Sequence, residues 1–125
     1  MGIFVNYFSN IYSNIANIPQ TLVIADPNVV LITSLTVCNL GVEPIRFNLQ
    51  KIRTEFPNPV TISYINEFEI KTYDTVDVIA EFGIQIYLQY FVTPPISDRL
   101  VCFSNGYTQK FDCEVTFQVL NELPF

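Results

Sequence analysis

The stretch "KFDCEVTFQVL", residues 110–120, alternates apolar and polar side chains without a break. Phe111, Cys113, Val115, Phe117 and Val119 fall on one side, and Asp112, Glu114, Thr116 and Gln118 on the other. A period of two belongs to a β-strand with one buried face; on a helix the same apolar groups would scatter around the axis. The pattern recurs. Ile45, Phe47 and Leu49 alternate with Arg46, Asn48 and Gln50, and Ile84, Ile86, Leu88, Tyr90 and Val92 with Gln85, Tyr87, Gln89 and Phe91. In "VVLITSLTVCN", Val29, Leu31, Leu35 and Val37 are assigned one face and Ser34 and Thr36 the other. Antiparallel sheets with one wet face have this signature.

Turn signals separate the runs: Asp26-Pro27-Asn28 after "TLVIA", Gly41, the two prolines of "EFPNP", Gly83, and "TPPISD" before "RLVCF". "VTISYINEFEI" and "TVDVIAEF" read as two further strands. Asn105-Gly106 is the strongest short hairpin signal in the chain and joins "RLVCF" to the last strand. Seven to nine short strands at close intervals predict an all-β fold: a single antiparallel β-sandwich, jelly-roll or Ig-like, with little helix. Its core is expected to contain Leu35, Val37, Ile45, Phe47, Leu49, Ile86, Leu88, Val115 and Phe117.

Composition agrees. Half of the 125 residues are apolar and 14% are charged, enough apolar content for one folded domain. The apolar set is dominated by β-branched and aromatic residues, which suit a pleated surface. The six basic residues, Arg46, Lys51, Arg53, Lys71, Arg99 and Lys110, are scattered singly in a chain of net charge −6. That spacing argues against nucleic acid or an anionic membrane as a partner, since both need clustered cations.

Residues 1–19 differ from the rest. Phe4, Phe8, Ile11, Ile15 and Ile18 recur at helical spacing, but the polar positions are Asn and Ser, which are poor helix formers; "IFVNYF" also reads as a strand, and Pro19 ends the segment. The segment has neither the basic start nor the unbroken apolar run of a signal peptide. It is either an element packed on its own domain or an N-terminal arm lying on a neighbouring subunit. The arm is the expectation taken forward, giving an extension over 1–19 and a sandwich over 20–125.

Catalytic chemistry is poorly supplied. The chain contains no histidine, which removes the commonest general base and the Ser-His and Cys-His pairs. Cys38, Cys102 and Cys113 lack metal-binding spacing and read as small reduced core residues, with a Cys102–Cys113 bond across the last hairpin conceivable in geometry. Glu67, Glu69, Asp74, Asp77 and Glu81 read as solvated faces and edge protection rather than a carboxylate pair or a calcium loop. No catalytic, cofactor-binding or metal-ligating residue is assigned, and the chain is expected not to be an enzyme.

Aromatics are abundant, with seven Tyr and eleven Phe. Tyr87 and Phe91 sit opposite the apolar face of their strand. With Phe4, Tyr7, Phe8, Ile11, Tyr12 and Ile15 they form the predicted partner interface, because exposed aromatics most often anchor protein–protein contacts.

The run "TSLTVCNLGVEPIRFNL" is similar to a pattern of small all-β virion proteins of tailed bacteriophages: a short strand, a turn, an apolar strand ending in Cys-Asn, a turn residue and an alternating strand. "TLVIADPNVVLITSLTVCN", "VTISYI", "ISDRLVCFSN" and "DCEVTFQVL" follow in the family's order over residues 20–120. Ser97 stands where the pattern favours Gly before Asp98, and Asp26-Pro27-Asn28 replaces a Pro-Ala-Gly turn. The resemblance implies that Asn39 bonds its own turn and that Cys38 is a small packed residue. It further implies a structural protein of the virion, assembled in the host bacterial cytoplasm: a capsid decoration or cement protein, homo-oligomeric and bound to the major capsid protein. A head–tail connector or tail accessory protein is the alternative within that class, and a carbohydrate-binding β-sandwich module the alternative outside it.

Overall fold

The computed structural model describes residues 5–55, 57–93 and 95–120. Its elements are β1 (Val5–Ile15), β2 (Gln20–Ile24), β3 (Val29–Cys38), β4 (Ile45–Thr54), β5 (Val60–Ile70), β6 (Thr75–Asp77), α1 (Val78–Phe82), β7 (Ile86–Leu88), β8 (Tyr90–Phe91), β9 (Ile96–Ser104) and β10 (Phe111–Leu120). Strand occupies 64% of the chain and helix 4%, well below what would overturn the all-β reading. One sheet runs β1-β10-β3-β6, with β7 also on β3; the other runs β2-β9-β4-β5, with β8 on β9. Every pairing is antiparallel. This interleaved order, with the chain crossing repeatedly between two packed sheets, is the winding of a jelly roll.

The inner faces meet in a core that contains all nine residues assigned to it from the sequence. Phe47 of β4 and Phe111 of β10 meet edge to face across it, centroids 5.4 Å apart. Full burial of a side chain of this size contributes about 1.5–3 kcal/mol.

Five expectations need correcting. Residues 5–15 do not form a detached arm: β1 pairs with β10 along its length, and Ile15 lies in the core. The sandwich therefore includes β1, and the boundary at 19/20 is not a domain boundary.

In β3 the buried residues are Val30 and Ile32, then Leu35 and Val37, with Val29 and Leu31 on the other face. The register against β10 shifts between Thr116 and Phe117. A bulge adds one residue to the strand and so reverses which parity faces inward.

"TVDVIAEF" is a three-residue strand followed by a helical turn. Asp77 Oδ1 accepts from the Ile79 and Ala80 N–H groups at 3.1 and 3.5 Å, an N-cap, and from the Leu35 N–H at 3.2 Å. Gly83 closes the turn at φ 60°, a left-handed conformation that Gly tolerates best.

The run 84–92 is two short strands in different sheets, β7 on β3 and β8 on β9. Asn105-Gly106 makes no hairpin, because β9 and β10 belong to opposite sheets. Its loop carries the chain across the sandwich.

Candidate functional site

β1 is the edge of its sheet, and its alternation sorts the predicted interface residues. Phe8 and Tyr12 turn toward the other sheet, while Tyr7 and Ile11 turn outward, 66% and 72% exposed. Ile15, assigned to the interface, is buried in the core instead. The strand's own packing needs its Cβ on the inner face after the register shift between Tyr12 and Ile15. Phe4 lies outside the described residues.

Register brings distant parts of the sequence together. Tyr7 pairs with Gln118, Gln118 with Leu31, and Leu31 with Tyr87, a single row across four strands. At about 4.8 Å per strand the row spans about 14 Å. Tyr7, Leu31 and Tyr87 thus share the outer face of the β1 sheet. Phe91 does not join them; it lies on β8, in the other sheet, beside the exposed Val92.

Behind β1 the two sheets part. A groove of about 730 Å³ opens between β1 and β2, lined in part by Phe8, Asn10, Tyr12, Asp26, Asn28 and Phe117. The Phe8 and Phe117 rings stack with centroids 5.8 Å apart. Tyr12 Oη donates to the Leu22 carbonyl at 2.8 Å and so ties β1 to β2 across the groove. Burial raises the Tyr12 phenol above its ordinary 10.0, aided by the neighbouring Cys113 thiol. Cys102 and Cys113 are free thiols on opposite sheets, so they face each other across the core rather than across a hairpin. Burial pushes the Cys102 thiol well above 9.0, and the neighbouring Cys113 thiol adds to the rise.

The charged groups are used structurally. Asp98, fully buried on β9, takes two hydrogen bonds from Arg53, Nε to Oδ1 at 2.8 Å and a terminal nitrogen to Oδ2 at 3.1 Å. The Gln89 N–H donates to Oδ2 at 2.8 Å, and the Asp98 N–H donates back to the Gln89 carbonyl. Lys51 Nζ stands 3.8 Å from Oδ2. The hydrogen bond to Asp98 raises the Arg53 pKa. This clamp holds the crossing point between β7 and β8. Sequence reading missed it because a single Asp in a loop-to-strand transition carries no period.

Asn39 is buried in its turn. It donates to the Glu43 and Ile70 carbonyls and accepts from the Gly41 N–H at 3.0 Å. That is the turn-bonding role expected of it. Cys38 is half-exposed and accepts from the Thr75 hydroxyl at 3.3 Å. Among the described residues no three His, Cys, Asp or Glu side chains are grouped to hold a metal ion, and no helix is long and apolar enough to cross a membrane.

The chain matches no protein-family model, and comparison with curated proteins and with solved structures finds no match either.

Proposed function

We propose that this chain is a non-enzymatic structural protein of a tailed-bacteriophage virion, a capsid decoration protein that stabilises the head through protein–protein contacts. The observation that carries the proposal is the outer face of the β1 sheet, where exposed Tyr7 and Ile11 sit on a strand without charge and Tyr7 stands in register with Leu31 and Tyr87. Aromatic and aliphatic side chains of this kind anchor protein interfaces. The jelly-roll winding supports the reading, since viral capsid domains use it, but lectin domains use it too, so the fold alone does not decide. A decoration protein acts by mass action: binding the assembled shell and not the free subunits stabilises the shell.

The test is co-purification with intact particles. Decoration requires a copy number on the order of hundreds per particle, whereas a connector on a head–tail axis requires about a dozen. Replacing Tyr7 and Tyr87 together with Ser should lower occupancy without unfolding the domain. Absence of the protein from particles would sink the proposal.

A carbohydrate-binding module is kept as a second reading for one reason: the β1–β2 groove combines Phe8 and Tyr12 with Asn10, Asp26 and Asn28, a mix of stacking surface and hydrogen-bonding groups that suits a sugar. Glycan binding lost on Tyr12→Ala and Phe8→Ala would favour it.

A further inference from the structure

A sheet edge exposes unpaired N–H and C=O groups, and folded proteins normally blunt it with short strands, charge, proline or bulges. The other edge strands named in the two sheets are blunted. β6 has three residues and β8 two. β2 has five, between Pro19 and Pro27, with a register shift inside it. β5 is long, but it follows Pro57 and Pro59, carries Glu67 and Glu69, and breaks register with β4 twice. β1 has none of these protections from Val5 to Tyr12. Eight consecutive residues hold one regular register with β10, without charge or proline. Among the described residues nothing pairs with its outer side.

We infer that the outer edge of β1 pairs with β1 of a second copy, antiparallel about a two-fold axis at Ser9, joining two sheets into one. The occupant follows from charge and symmetry. Each copy carries a net charge of −6, so association is tolerated where the seam itself is uncharged, and β1 is the long edge that meets that condition. A two-fold at Ser9 sets Tyr7 opposite Ile11 of the copy, twice. The two most exposed apolar side chains of the described part of β1 then cover one another as aromatic–β-branched cross-strand pairs, which are among the stabilising kinds. Such self-complementarity is what an isologous contact needs, and adding a strand to an exposed edge is an established mode of recognition. A stretch of this kind left open would be an aggregation site. The dimer goes beyond the virion reading and concerns the isolated chain: a monomeric protein that still joins particles would overturn the dimer alone, and a dimer absent from particles would overturn the virion reading alone.

The experiment uses the full chain in sedimentation velocity over a concentration series. A dimer is expected, with Ile11→Lys raising its dissociation constant by at least about tenfold, and Val42→Lys, at an exposed site outside β1, leaving it unchanged. Because a lysine could perturb β1, a second variant pair fixes the axis, both made in a Cys38→Ser background. Residues opposite on a two-fold lie within the Cα range a disulfide spans, so Ser9→Cys should give a covalent dimer under oxidised glutathione. Ser13→Cys should not, since its copy would stand about 26 Å away along the strands. A monomer at every concentration, a dimer indifferent to Ile11→Lys, or cross-linking at Ser13 as fast as at Ser9 would overturn the inference.

Discussion

β1 and β5 are both eleven residues long, and each forms an outer edge of its own sheet. They are built in opposite ways. β5 meets β4 in short regular pieces separated by register shifts, and Glu67 in its middle takes the positive φ of 57°. That kink is held from outside the strand. Asn48 Oδ1 accepts the Glu67 N–H at 3.0 Å, Asn48 Nδ2 donates to Asn105 at 2.7 Å, and Asn105 donates to the Glu67 carboxylate. β1 runs regular and uncharged for eight residues before its one irregularity, between Tyr12 and Ile15. The difference teaches that edge exposure is not a property of the sandwich as a whole. One long edge is closed off by charge, bulges and a polar network anchored on the buried Asn48, and the other is left able to pair.

The largest effect should come from removing the open edge altogether. Deleting residues 2–18 takes Ile15 out of the core and strips β10 of its partner, so the shortened chain is expected to lose its cooperative thermal transition in circular dichroism. Retention of a sharp transition would mean that β1 is an appendage, and the contrast with β5 would collapse.

Next is the network that closes the other edge. Asn48 is 3% exposed, and Asn48→Ala leaves the Glu67 N–H and the Phe103 carbonyl without their side-chain partner. Unsatisfied groups of this sort cost about 1–3 kcal/mol, read as a lower denaturation midpoint at unchanged m-value. A loss below about 0.5 kcal/mol, the range of ordinary surface substitutions, would show that the kink in β5 holds without the network.

How much of this contrast was legible beforehand depends on the residue. The unbroken alternation of β10 and of Ile45–Leu49 identified strands, core and fold class, because in both the alternating apolar side chains fall together on the inner face. Alternation could not locate the bulge near Thr33 in β3, where parity reverses through an inserted residue rather than through a change of residue type. It read "TVDVIAEF" as strand because Val76, Val78 and Ala80 alternate; Asp77 redirects that stretch through hydrogen bonds to Leu35, 42 positions away. Asn105-Gly106 looked like a hairpin for the same reason: turn chemistry is local, and which sheet the next strand joins is not. Tyr7 and Tyr87 were singled out as partner residues, but their shared row depends on three registers that no single sequence window contains.

A smaller effect compares the edges directly. Ile62 on β5 is 40% exposed, and Ile62→Lys, like Ile11→Lys, should change monomer stability by no more than about 0.5 kcal/mol. Only the β1 variant is expected to alter self-association in sedimentation velocity. Equal effects would show that the two edges are interchangeable.

A last effect concerns what ties β1 to the opposite sheet. Tyr12→Phe deletes the hydrogen bond to the Leu22 carbonyl, a loss of about 1 kcal/mol at neutral pH. The phenol is held above its ordinary 10.0, chiefly by burial, so the folded chain keeps that proton more firmly than the unfolded chain does. Above pH 10 the unfolded state then binds fewer protons than the native state, and stability falls as pH rises. The contribution is whole below the unfolded value and disappears as pH climbs through the folded one. Tyr12→Phe has no such proton to lose, so denaturation curves taken from pH 7 upward should place the native chain ahead at first and narrow the gap beyond pH 10. Parallel pH profiles would mean that the Tyr12 hydroxyl stands in water and does not tie β1 to β2.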